Sequence, residues 1–237
     1  MIQPVFATVL NEVIHAFQTE FSTELHSLYV YGSVAQGTEI AGKSDLDLCI
    51  IFHHPTDDLE RKISEIQSYI MNLYPMFPKI DVDLGYLKDV LDPKNHQRWG
   101  AWIKFFCHFF AGEDLSIHFQ DIQIDRSVIQ AINQGYNQDI HSYFSALGIQ
   151  EQTLQERINL KKSLIKRMIR LLPLTWNEID TWPLNLTETL AQAIQKTPEQ
   201  KTMFLYLIEE LENPNALSTA SLDQLQKIYS WIGTHLK

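Results

Sequence analysis

Tyr29-Val30-Tyr31-Gly32-Ser33-Val34-Ala35-Gln36-Gly37-Thr38-Glu39-Ile40-Ala41-Gly42-Lys43-Ser44-Asp45-Leu46-Asp47-Leu48-Cys49-Ile50-Ile51 is the stretch whose reading decides the fold. Its first residues, with Leu28 before them, are aromatic or β-branched and predict a strand that stops at Gly32-Ser33. Gly37 and Gly42 in the spacer predict a short helical turn and a loop. From Asp45 to Phe52 polar and apolar residues first alternate and then become wholly apolar. That pattern predicts a second strand, open to solvent on one side only over its first turn.

The residue types in this stretch point to phosphate and metal chemistry. Glycine at 32 has no side chain to hold a ligand away from the backbone. Ser33 adds a hydroxyl and free amide groups suited to phosphate oxygens. Asp45 and Asp47 lie two apart on a strand, so both carboxylates leave the same face. Like charges that close are costly unless a cation lies between them. Oxygen-only ligands suit Mg2+ or Mn2+, which bind through one or two carboxylates and the substrate's phosphates. Ser44, the small polar residue just before the pair, is a further candidate.

A third carboxylate should come from the next strand, Ile80 to Leu87. There Asp81 and Asp83 alternate and share a face; Asp83 is the first choice as the deeper of the two, and Asp81 the reserve. Glu39 and Glu113 are candidates for a separate general base, and the residues do not select between them.

Outward from this centre, apolar positions from Val5 to Phe21 recur at helical spacing, and a second helix is predicted over Asp57–Tyr74, closed by Pro75. Helix, strand, loop, strand, helix, strand is a compact unit with a small mixed sheet. The aromatic segment from Trp99 to Phe110 reads equally as helix or strand; it is core or a platform for a base or an acceptor. Beyond it, helices are predicted at Ser127–Leu147, Thr153–Leu172, Thr187–Gln195, Glu199–Leu211 and Ser221–His235, punctuated by Pro173, Pro183, Pro198 and Pro214. The predicted class is α+β: a catalytic domain over residues 1–120 and a C-terminal α-helical bundle over 121–237.

Tyr31-Gly32-Ser33, an eleven-residue spacer and Asp45-Leu46-Asp47-Leu48 resemble the signature of the DNA polymerase β nucleotidyltransferase superfamily. The resemblance covers residues 28–87. The domain order, catalytic and then helical, is most similar to that of the bacterial aminoglycoside adenylyltransferases. It implies a nucleoside triphosphate bound with two divalent metals at Asp45, Asp47 and the third aspartate. It also implies transfer of a nucleoside monophosphate, AMP from ATP as first choice, with release of pyrophosphate. Several members of the superfamily use a second-domain lysine on the triphosphate.

That last implication bears on Arg157 to Trp176, which holds six basic residues and no acidic one in a chain of net charge −10. Lys162, Lys166 and Arg170 recur at one-turn spacing and share a helix face. They are either triphosphate ligands or a solvated face. The overall acidity argues against a long nucleic-acid partner and suits a small cationic acceptor such as an aminoglycoside. A protein side chain or an RNA end is the alternative acceptor, and a nucleotide-binding module without catalysis is a third reading.

Composition excludes other classes. With 45% hydrophobic and 20% charged residues among 237, the chain is neither disordered nor fibrous. Two cysteines, Cys49 and Cys107, are too few for a disulfide framework and lack metal-ligand spacing. The pair His53-His54 lacks further ligands and reads as loop. The N-terminus has no basic start or apolar core of a signal peptide, and no apolar run is long enough to span a bilayer. The expected setting is cytoplasmic, with no membrane partner.

Overall fold

The computed structural model describes residues 4–149, 151–179, 183, 185–213 and 219–237. The chain divides into two compact units, 1–123 and 124–237.

The first unit begins with α1 (Pro4–Glu20), β1 (Leu25–Tyr31), the short α2 (Gly32–Gln36) and β2 (Leu46–Phe52). It continues through α3 (Leu59–Leu73), β3 (Ile80–Tyr86), α4 (Leu87–Val90) and α5 (His96–Ala101). The strands form one sheet in the order β3-β2-β1-β4, where β4 is His108–Gly112. β1 runs antiparallel to both β2 and β4, and β2 runs parallel to β3, so the sheet is mixed as the sequence predicts. The aromatic segment resolves into three pieces: α5, a π-helical turn at Trp102–Phe106, and the edge strand β4.

Alternation on β2 builds the core. Leu46, Leu48, Ile50 and Phe52 are fully buried and pack with Leu28 and Val30 of β1. Val9, Leu10, Val13 and Phe17 of α1 and Ile63, Ile66 and Ile70 of α3 belong to the same cluster. Each such side chain contributes roughly 1.5–3 kcal/mol of burial. One sheet face is thereby committed to helices, and the odd-numbered positions of β2 face the other way. The helix predicted from Asp57 starts at Leu59, because Asp58 takes a left-handed conformation (φ 58).

The second unit contains α6 (Arg126–Ile132), α7 (Tyr136–Leu147), α8 (Leu154–Leu171), α9 (Leu186–Lys196), α10 (Lys201–Glu212) and α11 (Thr219–His235). The single helix expected over Ser127–Leu147 is two. The break falls at Asn133-Gln134-Gly135, where Gly135 has φ 81. The Arg167 guanidinium donates to the Asn133 and Gln134 carbonyls freed there, each at 3.4 Å. α8 packs against α7, α9, α10 and α11. Its start is a capping box: the Thr153 hydroxyl accepts from the Glu156 amide, and the Glu156 carboxylate from the Thr153 amide. Pro214 lies outside the described residues. Among them no helix is long and apolar enough to cross a membrane.

Candidate active site

The face turned away from the core collects the acidic residues. Backbone register sets Asp47 of β2 beside Tyr31 of β1 on one side and Asp81 of β3 on the other. One pleat further, Cys49 lies between Tyr29 and Asp83, and beyond that Ile51 is paired with Gly85. The Leu46 amide donates to the Lys79 carbonyl at 3.0 Å, which sets Lys79 beside Asp45 at the start of the two strands. Asp47, Asp81 and Asp83 therefore leave the sheet on the same side, and Lys79 reaches that side to pair with Asp81.

The turn before them fits closely. Gly32 has φ 70, and a Cβ placed there would lie 3.0 Å from Asp47 Cγ and closer still to its Oδ2. Only glycine lets the Asp47 carboxylate rest against the backbone that opens α2. Ser33 follows within α2, and its carbonyl accepts from Thr38 at 3.0 Å, helping to close this turn. Ser44 has a structural part: its hydroxyl accepts from the Ile40 amide at 2.9 Å, closing the loop that delivers Asp45.

The two β3 aspartates have different partners. Asp81 is ion-paired with Lys79 at 2.5 Å. That hydrogen bond, with the fields of Asp45 and Asp47 behind it, raises the Lys79 ammonium above its ordinary pKa against the opposing effect of burial. Asp83 accepts from the Tyr31 hydroxyl at 2.9 Å. Burial first, and then Asp83, lifts that phenol far above its usual range, so it remains a donor. The Cys107 thiol is likewise pushed up, by the adjacent Cys49 thiol and by burial.

Aromatic rings cover the rest of the face. Trp102 meets Tyr31 edge-on at 4.8 Å, and the Trp99 ring lies over Gly85, where a Cβ would come within 2.8 Å of it. Both tryptophans are half-buried. The carboxylates at the opening ends of β2 and β3 thus border an aromatic wall. No periodicity in the sequence announces Tyr31 or Lys79 as parts of this face; only the strand register brings them in.

Other expectations divide. Glu39 is buried just beyond α2. Glu113 lies at the far end of β1: its amide donates to the His26 carbonyl, five residues down β1 from Tyr31, roughly 16 Å at ~3.3 Å per residue. On α8, Lys166 is exposed and Lys162 half-buried.

Among the described residues, no three carboxylate, imidazole or thiol groups converge closely enough to hold one ion. Asp81 and Asp83 have partners of their own, the Lys79 ammonium and the Tyr31 hydroxyl. The donor set still suits a hard divalent cation, being carboxylate oxygen on one face, and that face already accommodates a cation, the Lys79 ammonium.

Residues 10–94 match the family described as Nucleotidyltransferase domain. With the mixed sheet and the Gly-Ser turn beside paired aspartates, this defines the class: the chain carries a polymerase β-like nucleotidyltransferase domain and is a nucleotidyltransferase. More particularly, its fold is similar to that of spectinomycin adenyltransferase AAD(9) from Enterococcus faecialis, solved with ATP and spectinomycin. The TM-score is 0.60 at 14% identity, over 96% of this chain and 99% of that one, a likeness of fold. No curated protein matches the chain by sequence.

Proposed function

We propose that the protein transfers AMP from Mg2+-ATP to a hydroxyl of a small cationic molecule, such as an aminoglycoside, and releases pyrophosphate. The observation that carries this reading is the register that sets Asp47 beside Asp81, with Asp83 two residues on along the same face, next to the Gly32-Ser33 turn. The fold's likeness to an adenyltransferase solved with ATP and an acceptor supports the choice of substrates.

Asp45 and Asp47 are the residues that would hold divalent metal. Of the β3 pair we assign the third place to Asp81, the lateral neighbour of Asp47, ahead of Asp83. When bound, Mg2+ or Mn2+ supplies charge neutralisation at the phosphates and lowers the pKa of an attacking hydroxyl. Gly32 and Ser33 offer backbone amides and a hydroxyl to phosphate oxygens, with Asp47 held against the same turn. Asp83, kept in place by Tyr31, is the carboxylate left to accept the acceptor's proton. The half-buried Trp102 and Tyr31 rings beside it offer the acceptor a flat apolar wall. Lys162 and Lys166 on α8 are our candidates for the β and γ phosphates. Four carboxylates favour a cationic acceptor over an RNA end, as does the net charge of −10. Two free thiols are in keeping with a cytoplasmic setting.

The test is label transfer from ATP marked at its α-phosphorus, offered Mg2+ with an aminoglycoside panel, tRNA or a cell lysate. Label on a small hydroxylated amine is expected, and Asp47→Asn should lower the rate by about 10³-fold with the fold intact. Label on RNA or protein alone would replace the proposed acceptor. Full activity in Asp47→Asn would refute the site.

A further inference from the structure

Lys79 stands at the edge of the acidic face, and the proposed transfer chemistry gives it no part. Its side chain reaches the side that carries Asp47, Asp81 and Asp83, because it pairs with Asp81, which shares that face with Asp47 and Asp83. Its ammonium lies 2.5 Å from Asp81 Oδ1, and Asp45 and Asp47 act on it through space. One positive charge thus lies within reach of three of the four carboxylates, whose like charges repel one another. A divalent cation needs the same oxygens, and an ammonium bonded to Asp81 competes with it for them.

We propose that Lys79 is a built-in counter-cation for the carboxylate face: it holds Asp81 beside Asp45 and Asp47 until metal arrives, and metal binding displaces its ammonium from Asp81. The inference rests on reading these aspartates as metal ligands. Displacement is open to the side chain, which is 62% exposed and ends a flexible four-carbon stem. Lys79 is a positioning residue in this scheme, acting through Asp81. It keeps like charges together when no metal is bound and weakens the grip on free metal in return.

The experiment measures Mn2+ binding to the whole chain without nucleotide, by the electron paramagnetic resonance signal of free Mn2+. It compares the wild type with Lys79→Met, Lys79→Arg and the control Lys43→Met, which removes an exposed charge two residues before Asp45. Lys79→Met should bind Mn2+ up to about fivefold more tightly, since an exposed ion pair is worth up to ~1 kcal/mol. Lys79→Arg should stay close to wild type, and Lys43→Met should change little. In EDTA, Lys79→Met should melt below the wild type, and Mn2+ should raise its melting temperature by more. Unchanged or weaker Mn2+ binding in Lys79→Met overturns the proposal, as does equal tightening in Lys43→Met. Failure of every form to bind Mn2+ would overturn the metal reading of the aspartates as well, which separates the two failures.

Discussion

On α8 the charges that leave water meet their opposites, whereas the β2–β3 face sets charges of one sign close together, Asp47 beside Asp81 and Asp83 on the same side. Lys161 is fully buried and ion-paired with Glu210, itself only 12% exposed at its side chain. Arg167 pairs with Asp139 at 2.9 Å and caps the carbonyls at the α6–α7 break. Matched charge of this kind holds helices in place. Across the sheet, Asp45, Asp47 and Asp81 lie about Lys79 while Asp83 turns to Tyr31, and like charges gathered on one face cost stability. Lys162 and Lys166 lie on the same helix as Lys161, yet neither is buried. Position along a sequence does not separate a buried, matched charge from a solvated one; the presence of a buried partner does.

The comparison breaks most visibly at Lys161. Replacing it with methionine leaves Glu210 without its buried partner, and removing one side of such a pair costs about 3–5 kcal/mol. Denaturant unfolding followed by circular dichroism should register that loss, while nucleotidyl transfer per folded molecule stays unchanged. A loss no larger than that from the same change at Lys166 would erase the distinction between the two kinds of lysine.

Gly32→Ala sharpens the other side. The φ of 70 adds about 1–2 kcal/mol of strain for any residue with a Cβ. The new methyl group must also push the Asp47 carboxylate away. A displacement of about 1 Å at a reacting centre costs on the order of 10²-fold in rate. Transfer should therefore fall far more than stability does. A variant that loses stability and keeps its rate would mean that Asp47 works from somewhere other than the Gly32 backbone.

Local chemistry makes much of this legible in the sequence. Gly32-Ser33 and the alternating Asp45-Leu46-Asp47 mark a turn and a one-sided strand by themselves, and the same alternation marks β3. The aromatic run at 99–110 does not declare its state. Its rings pack on the sheet, and β4 is a strand only because its backbone pairs with β1. Gly135, inside an otherwise helical pattern, ends a helix because Arg167, more than thirty residues later in the chain, caps the exposed carbonyls. The ranking of Asp83 over Asp81 cannot come from alternation, since both share a face. It depends on which residue of β3 lies beside Asp47, and that is a fact of pairing between strands.

His26 tests the comparison at its weakest point, a titratable group that is buried but only half matched. It lies at the other end of β1 from the carboxylates, 6% exposed, with Nδ1 2.6 Å from the Ser27 hydroxyl oxygen. Burial, and then the neighbouring His53, lower its pKa below the usual 6.5; Glu113 opposes them from 3.6 Å, and His118 adds to the lowering. The folded chain therefore refuses a proton that the unfolded chain accepts. Stability from this group is complete above about pH 6.5 and declines as pH falls from there toward the lower folded value. Unfolding midpoints taken near pH 7.5 and near pH 5.5 should differ in the wild type, and His26→Gln should narrow the gap by the smallest of the effects considered. An undiminished gap in that variant would mean that Glu113 matches His26 as fully as Glu210 matches Lys161, and that the sheet's far end follows the plan of α8.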